Sequence, residues 1–204
     1  MGERKNWAIW FARIVSKTFF MPLFRLETEG TENIPEKGPF VLLPKHQRWE
    51  DIPILGLATP RPLYYVAKYE LFRNPIIAWF LRSLGGIPLN RQRPMESRQH
   101  INSMVDLLRI GEGLVIFPEG TYYRENMGTG RSGLIKLILA RMSPPFIPIG
   151  IRYLNGGPKT LIRINIGRPF FADADDSVNM FVDHMMNEIA GLSELTGEDF
   201  NDRA

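Results

Sequence analysis

The chain has no cysteine in 204 residues, which excludes disulfides, thiolate nucleophiles and cysteine-bound zinc. Histidine is scarce too, with three residues, His46, His100 and His184, so few side chains can exchange a proton near neutral pH. His100 and His184 fall inside expected helices without a partner at ligand spacing, and no metal site is expected. Long apolar runs are also missing. The most apolar stretch, Trp7 to Phe24, is at the lower limit for a spanning helix and is interrupted by Arg13 and Lys17. No cleavable signal pattern follows it. No Gly/Ser- or Pro-rich linker divides the chain, and neither an internal repeat nor a low-complexity segment is present, so one compact domain is expected. The charge excess is small, +3 from 25 basic and 22 acidic residues. That balance fits an anionic substrate, a membrane surface or a nucleic acid equally. The cations are spread along the chain rather than clustered with stacking aromatics, which argues against nucleic acid.

What is present is a core and an alternation. Hydrophobic residues make up 44% of the chain, enough for a sizeable interior. Strand-like runs occur at FVLLP, PLYYVAK, GGIPLN, GLVIFP, FIPIGIRY and TLIRINIG, mostly bounded by Gly, Pro or Asn. Helical patterns lie between them, over Tyr69 to Leu84, Met95 to Ile110 and Gly133 to Met142, and a last one over Asp176 to Leu192 follows the final strand, with ADADD supplying acidic residues and a cap at its start. The alternation predicts a single-domain α/β sandwich with a mixed, largely parallel sheet flanked by helices. Ahead of it stands an amphipathic aromatic helix. Trp7, Trp10, Phe11, Ile14 and Met21 share one face while Arg13 and Lys17 can snorkel, which suits a helix lying in the headgroup layer of a membrane or packed on the domain. The expected division is a membrane-associated segment, 1–28, and a main domain, 29–204.

Three loops at expected strand ends carry unusual residues, where the chemistry of such folds gathers. In LLPKHQRWEDIP, His46 follows a buried strand and Asp51 precedes a short helix that Pro53 can start. Residues five apart on an ideal helix sit about 140° apart around its axis, so the two side chains meet only if a loop turns into a helix between them. A carboxylate beside an imidazole fixes its tautomer and stabilises the imidazolium formed as the other ring nitrogen takes a proton. Taken alone, the spacing is equally that of a capping Asp and a surface His. In GLVIFPEGTYYREN, Gly120 lets backbone approach a ligand and Glu119 can accept from a substrate hydroxyl or hold a neighbouring arginine, or the stretch is an ordinary acidic turn. In LGGIPLNRQRP, Arg91 and Arg93 offer planar forks that match phosphate oxygens, or are solvated loop charges.

Taken together the three loops resemble the glycerolipid acyltransferase family, whose best-known bacterial members are 1-acyl-glycerol-3-phosphate acyltransferases. KHQRWED resembles the family's first block, GGIPLNR its second, FPEGT (Phe117 to Thr121) its third, and FIPIGI with Pro148 its fourth. The resemblance covers roughly Pro35 to Phe170 in order and spacing. It implies transfer of a fatty acyl group from a thioester, acyl-CoA or acyl carrier protein, to the sn-2 hydroxyl of 1-acyl-glycerol-3-phosphate. His46 would be the general base and Asp51 its holder; Arg91, Glu119, Gly120 and Thr121 would hold the glycerol phosphate. No tightly bound cofactor is implied, and the partners would be the acceptor, the donor and a phospholipid surface at the cytoplasmic face. The chain departs from the family pattern at Lys45, where Asn is frequent, and at Tyr122 and Tyr123, where Arg and Ser are frequent. Lys45 and Arg124 would then restore positive charge near the acceptor. The same departures admit another lyso-lipid, glycolipid or amino-lipid acceptor, while a peripheral lipid-binding protein would leave His46, Asp51 and Glu119 without a purpose. The apolar segment 69–86 could line an acyl tunnel, lie on the bilayer or be core.

Overall fold

A computed structural model of the chain describes residues 4–90, 98–173 and 177–195. Seven strands form one sheet: β1 (Phe24–Glu29), β2 (Phe40–Pro44), β3 (Leu63–Lys68), β4 (Gly86–Leu89), β5 (Gly113–Val115), β6 (Phe146–Leu154) and β7 (Thr160–Ile166). Their order is β1-β7-β6-β2-β5-β3-β4, and neighbours are parallel except for the antiparallel pair β6 and β7. The helices are α1 (Asn6–Phe20), α2 (Asp51–Ala58), α3 (Pro75–Ser83), α4 (Arg98–Arg109), α5 (Gly133–Leu139) and α6 (Val178–Leu192). The architecture is thus the expected α/β sandwich on a mixed, mostly parallel sheet.

All six expected runs are strands: those covered on both faces, such as β2 and β5, are continuous apolar sequence, while β7 alternates buried and half-buried residues. Every residue of β2 is buried. Its Val41 and Leu43 join Met104, Leu108, Ile135 and Met185 on one face, from α4, α5 and α6. Phe40 and Leu42 join Ile54 and Leu55 of α2 on the other. The seventh strand, β1, was not expected: FRLETE is too charged for a buried strand. It forms at the sheet edge, where one flank is free for Arg25 and Glu27 to pair at 2.9 Å, and it runs in register with β7 from Phe24 opposite Thr160. The division expected between residues 28 and 29 therefore falls inside β1, and α1 ends earlier, at Phe20.

The expected helix over Tyr69 to Leu84 is broken into a 3-10 turn, Tyr69–Phe72, and α3. Pro75 is the cause: it lacks an N–H and disfavours helical backbone at the residue before it. Asn74 uses that break as a cap, its side chain accepting from the N–H groups of Ile76 and Ile77 at 2.9 and 3.2 Å. The start of α6 is capped by Ser177, whose hydroxyl accepts from Met180 N–H; Asp175 and Asp176 lie outside the described residues. At the other end α6 closes on β6 at Gly150, where a Cβ would lie 2.2 Å from the Leu192 carbonyl carbon and oxygen. Only glycine admits that approach.

The face of α1 predicted to be aromatic is bare. Ala8 and Phe20 are its buried residues, whereas Trp7, Trp10, Phe11 and Phe19 are exposed, Trp10 by 68%. Arg13 does not snorkel: its guanidinium donates to the Thr59 carbonyl at 2.6 Å and ties α1 to the end of α2. Among the described residues no helix is long and apolar enough to cross a membrane.

Candidate active site

Because β2, β5 and β3 are parallel neighbours, the loops that leave their carboxyl ends share one rim of the sheet. Lys45 N–H still donates to the Ile149 carbonyl of β6 at 2.9 Å, so His46 is delivered from a fully paired strand end. The chain then turns through Gln47 and Arg48 and enters α2 at Asp51. Asp51 Oδ2 lies 3.1 Å from His46 Nδ1 and accepts the N–H groups of Gln47 and Arg48 at 2.6 and 2.8 Å. The strand, loop and helix start demanded by the spacing are all present. With a carboxylate at Nδ1, the proton sits on that nitrogen and Nε2 carries the lone pair.

Asp51 is wholly buried and His46 is 8% exposed, so their hydrogen bonds must be complete. Oδ1, the other oxygen of Asp51, accepts the Tyr153 hydroxyl at 2.7 Å. Burial, and then the Asp51 charge, hold that phenol well above its ordinary value, so it remains a donor. The Arg48 guanidinium lies 4.5 Å over the Tyr153 ring. Both faces of the imidazole are covered: Phe117 stacks at 3.8 Å and Tyr122 tilts over it at 4.4 Å between ring centres. The hydrogen-bonded edge and the two covered faces leave the Nε2 edge for a substrate.

The third loop is stitched to the first. Glu119 Oε2 accepts His46 N–H at 3.0 Å, and Oε1 accepts Gly128 N–H at 2.8 Å and the Lys45 ammonium at 2.6 Å. Lys45 also donates to the Asn126 carbonyl at 2.9 Å, and Tyr123 N–H donates to the His46 carbonyl at 2.9 Å. Lys45 and Glu119, expected at the acceptor, have no exposed side-chain surface. Their charges are spent on each other and on backbone. Burial lowers the proton affinity of Lys45, with the attraction of Glu119 working against it. Gly120 turns the loop with φ of +72°, and its N–H donates to the Phe117 carbonyl. Thr121 is half-buried and Arg124 exposed. The two tyrosines divide: Tyr122 faces the imidazole, while Tyr123 packs on Gly128 beneath the Lys45 ammonium.

Arg91 and Arg93 lie outside the described residues. Asn90, just before them, lines an apolar cavity of about 240 Å³ together with Phe117, Pro118, Leu134 and Arg131. Phe117 is shared between this cavity and His46. Sequence reasoning missed Tyr153, which is 102 residues from Asp51. Nothing local marks it, apart from its place in the strand that carries the fourth block.

The acyltransferase family model matches residues 25–152. The 1-acyl-sn-glycerol-3-phosphate acyltransferase of Streptococcus pneumoniae is 26% identical over 190 residues, covering 85% of this chain and 68% of that protein. The enzyme of the same name from Bacillus subtilis is 32% identical over 144 residues, covering 68% of this chain and 70% of its own length. Among solved structures, the 1-acyl-sn-glycerophosphate acyltransferase of Thermotoga maritima superposes with a TM-score of 0.70 at 21% identity, over 93% of this chain and 80% of the other. At that identity the likeness speaks to the fold.

Proposed function

The chain belongs to the acyltransferase family, and from that premise we propose that it moves a fatty acyl group from a thioester to the sn-2 hydroxyl of 1-acyl-glycerol-3-phosphate, giving phosphatidate. The single observation that carries the mechanism is the buried His46 and Asp51 pair with Nε2 left as the basic edge. In the reaction, Nε2 takes the proton of the acceptor hydroxyl as its oxygen attacks the thioester carbonyl. The tetrahedral intermediate collapses with cleavage of the C–S bond, and the imidazolium returns the proton to the departing thiolate. No residue is acylated. The donor is acyl-CoA or acyl carrier protein, a substrate rather than a resident cofactor.

Asp51 fixes the tautomer, and Tyr153 holds Asp51 from the far side. Lys45 and Glu119 act as a brace: one carboxylate joins His46 N–H, the Gly128 turn and the Lys45 ammonium. Arg91, with Thr121, Arg124 and the backbone at Gly120, would hold the glycerol phosphate. Exposed aromatics on α1 and the apolar side chains of α3 support docking on the cytoplasmic face of a phospholipid bilayer, where both lipid substrates reside.

The acceptor is tested by thiol release from an acyl-CoA with purified protein in detergent or lipid. Lysophosphatidate should support turnover, and Arg91→Ala should raise its apparent KM sharply while leaving kcat nearly unchanged. Tyr122, against the imidazole where the family frequently has a cation, favours a second reading in which the acceptor is a different lyso-lipid. Turnover with a phosphate-free lyso-lipid and none with lysophosphatidate would establish that reading and displace the first.

A further inference from the structure

Away from His46, a cavity of about 750 Å³ opens between the start of α1 and α3, lined by Arg4, Lys5, Arg73 and Arg82, with Phe72 and Trp79 as its apolar walls. Among the described residues no carboxylate lines it. Arg4 is balanced, its fork gripping Glu112 at 3.1 and 3.2 Å, but its Nε is buried without a hydrogen-bond partner. Among the described residues no carboxylate stands within ion-pair reach of Lys5, Arg73 or Arg82. Lys5 and Arg82 lie instead over aromatic rings, 5.5 Å from Trp79 and 5.7 Å from Phe72. The field is felt next door: burial and then Arg82 lower the proton affinity of His100. The walls are firm, since Lys5 N–H donates to the Ser83 carbonyl at 3.0 Å and joins the two helices.

The helix that walls the cavity is apolar outside it as well. Ile76, 76% exposed, Ile77 and Phe80 stand bare on α3, and Trp79, which lines the cavity and is itself exposed, meets Trp7 of α1 with ring centres 6.4 Å apart. Three cations without a carboxylate partner among the described residues, beside bare apolar helices, are complementary to one chemistry: a phosphate monoanion or dianion carrying acyl chains. Arginine forks bind the phosphate oxygens, and aromatic and aliphatic side chains lie among the chains. A soluble anion would leave the exposed Trp7, Trp79 and the bare side chains of α3 unused. We propose that this cavity is a headgroup site for an anionic phospholipid of the bilayer, separate from the acceptor site, which holds α1 and α3 against an acidic membrane surface. The proposal rests on the membrane docking inferred above and adds its lipid selectivity.

Sedimentation with vesicles tests it, using phosphatidylcholine alone and phosphatidylcholine with phosphatidylglycerol, at low and high salt. Wild type should bind the anionic vesicles about tenfold more tightly or better, as expected for a few cations at a charged surface. Arg73→Gln with Arg82→Gln should lose most of that preference, yet keep binding to neutral vesicles and turnover of detergent-solubilised substrate. Arg109→Gln with Arg141→Gln, which removes the same charge at exposed positions outside the cavity, should leave the preference intact. If the control pair loses as much as the cavity pair, or the cavity pair loses nothing, the site is overturned. A rise in Tm with millimolar inorganic phosphate equal to that with anionic lipid would make it a free-anion site and overturn the lipid assignment. Absence of binding to either vesicle would instead remove the membrane docking on which the site depends, while leaving acyl transfer in detergent untouched.

Discussion

Around His46 the two buried carboxylates, Asp51 and Glu119, are held on both oxygens, whereas along α1 and α3 large apolar groups are left bare. At the first region a single carboxylate, Asp51, meets an imidazole, two backbone N–H groups and a phenol, and a second, Glu119, meets an ammonium and two more N–H groups. At the second, Trp10 and Ile76 show most of their surface to solvent. An interior polar group without a partner is destabilising, so buried catalytic groups come with enclosing hydrogen bonds and one edge left open. A cluster of large apolar side chains exposed to water marks a surface for contact with something else. Under the proposed function the held region serves proton transfer and the bare one contact with lipid. Substitutions should therefore have opposite consequences in the two.

The sharpest break in that contrast is His46→Ala. Turnover should fall by at least about 10²- to 10⁴-fold, the usual contribution of a positioned base, with the circular dichroism spectrum of wild type retained. Next comes the brace. Lys45→Met leaves Glu119 as an uncompensated buried charge, and the urea midpoint should fall by an amount equivalent to about 3–5 kcal/mol. Should the loss be under 1 kcal/mol, Glu119 has water available and the region is less enclosed than described.

Tyr153→Phe should act more mildly, lowering kcat about tenfold with KM little changed, as expected for losing a hydrogen bond to a charged group. Its pH signature is separate. A phenol held above its ordinary value near 10 contributes stability that is whole below about pH 10 and declines as pH rises towards its folded value. Urea midpoints at pH 8 and pH 10.5 should converge more closely for Tyr153→Phe than for wild type. Smallest of all is Trp10→Ser, which should change stability by no more than about 0.5 kcal/mol, yet measurably weaken sedimentation with lipid vesicles. A stability loss of several kcal/mol there would mean that α1 packs as core and would dissolve the contrast.

The legible parts of the molecule were those written locally. Fully buried strands announce themselves as apolar runs, whereas the break at Asn74 and Pro75 is hidden by the apolar pattern that runs through it from Tyr69 to Leu84. His46 and Asp51 are five residues apart, and their meeting needed only a strand, a turn and a helix start. What stayed hidden depends on pairing across the chain. β1 is charged and becomes a strand because β7 offers it an edge. Lys45 read as a surface cation near the acceptor because nothing local announces that Glu119 will lie 2.6 Å from it. Tyr153 reaches Asp51 only through the place of β6 beside β2. Arg13 read as a snorkelling cation, and its acceptor, the Thr59 carbonyl, is on another element.

The central claim, direct attack with His46 as base, is most directly tested in the first turnover. Acyl-CoA is mixed with a stoichiometric amount of protein, with and without lysophosphatidate, and free thiol is followed rapidly while the protein is weighed by mass spectrometry. Thiol release should require the acceptor, no mass increase of one acyl group should accompany it, and His46→Ala should release none. A stoichiometric burst of thiol without acceptor, with the acyl group found on the protein, would contradict the mechanism.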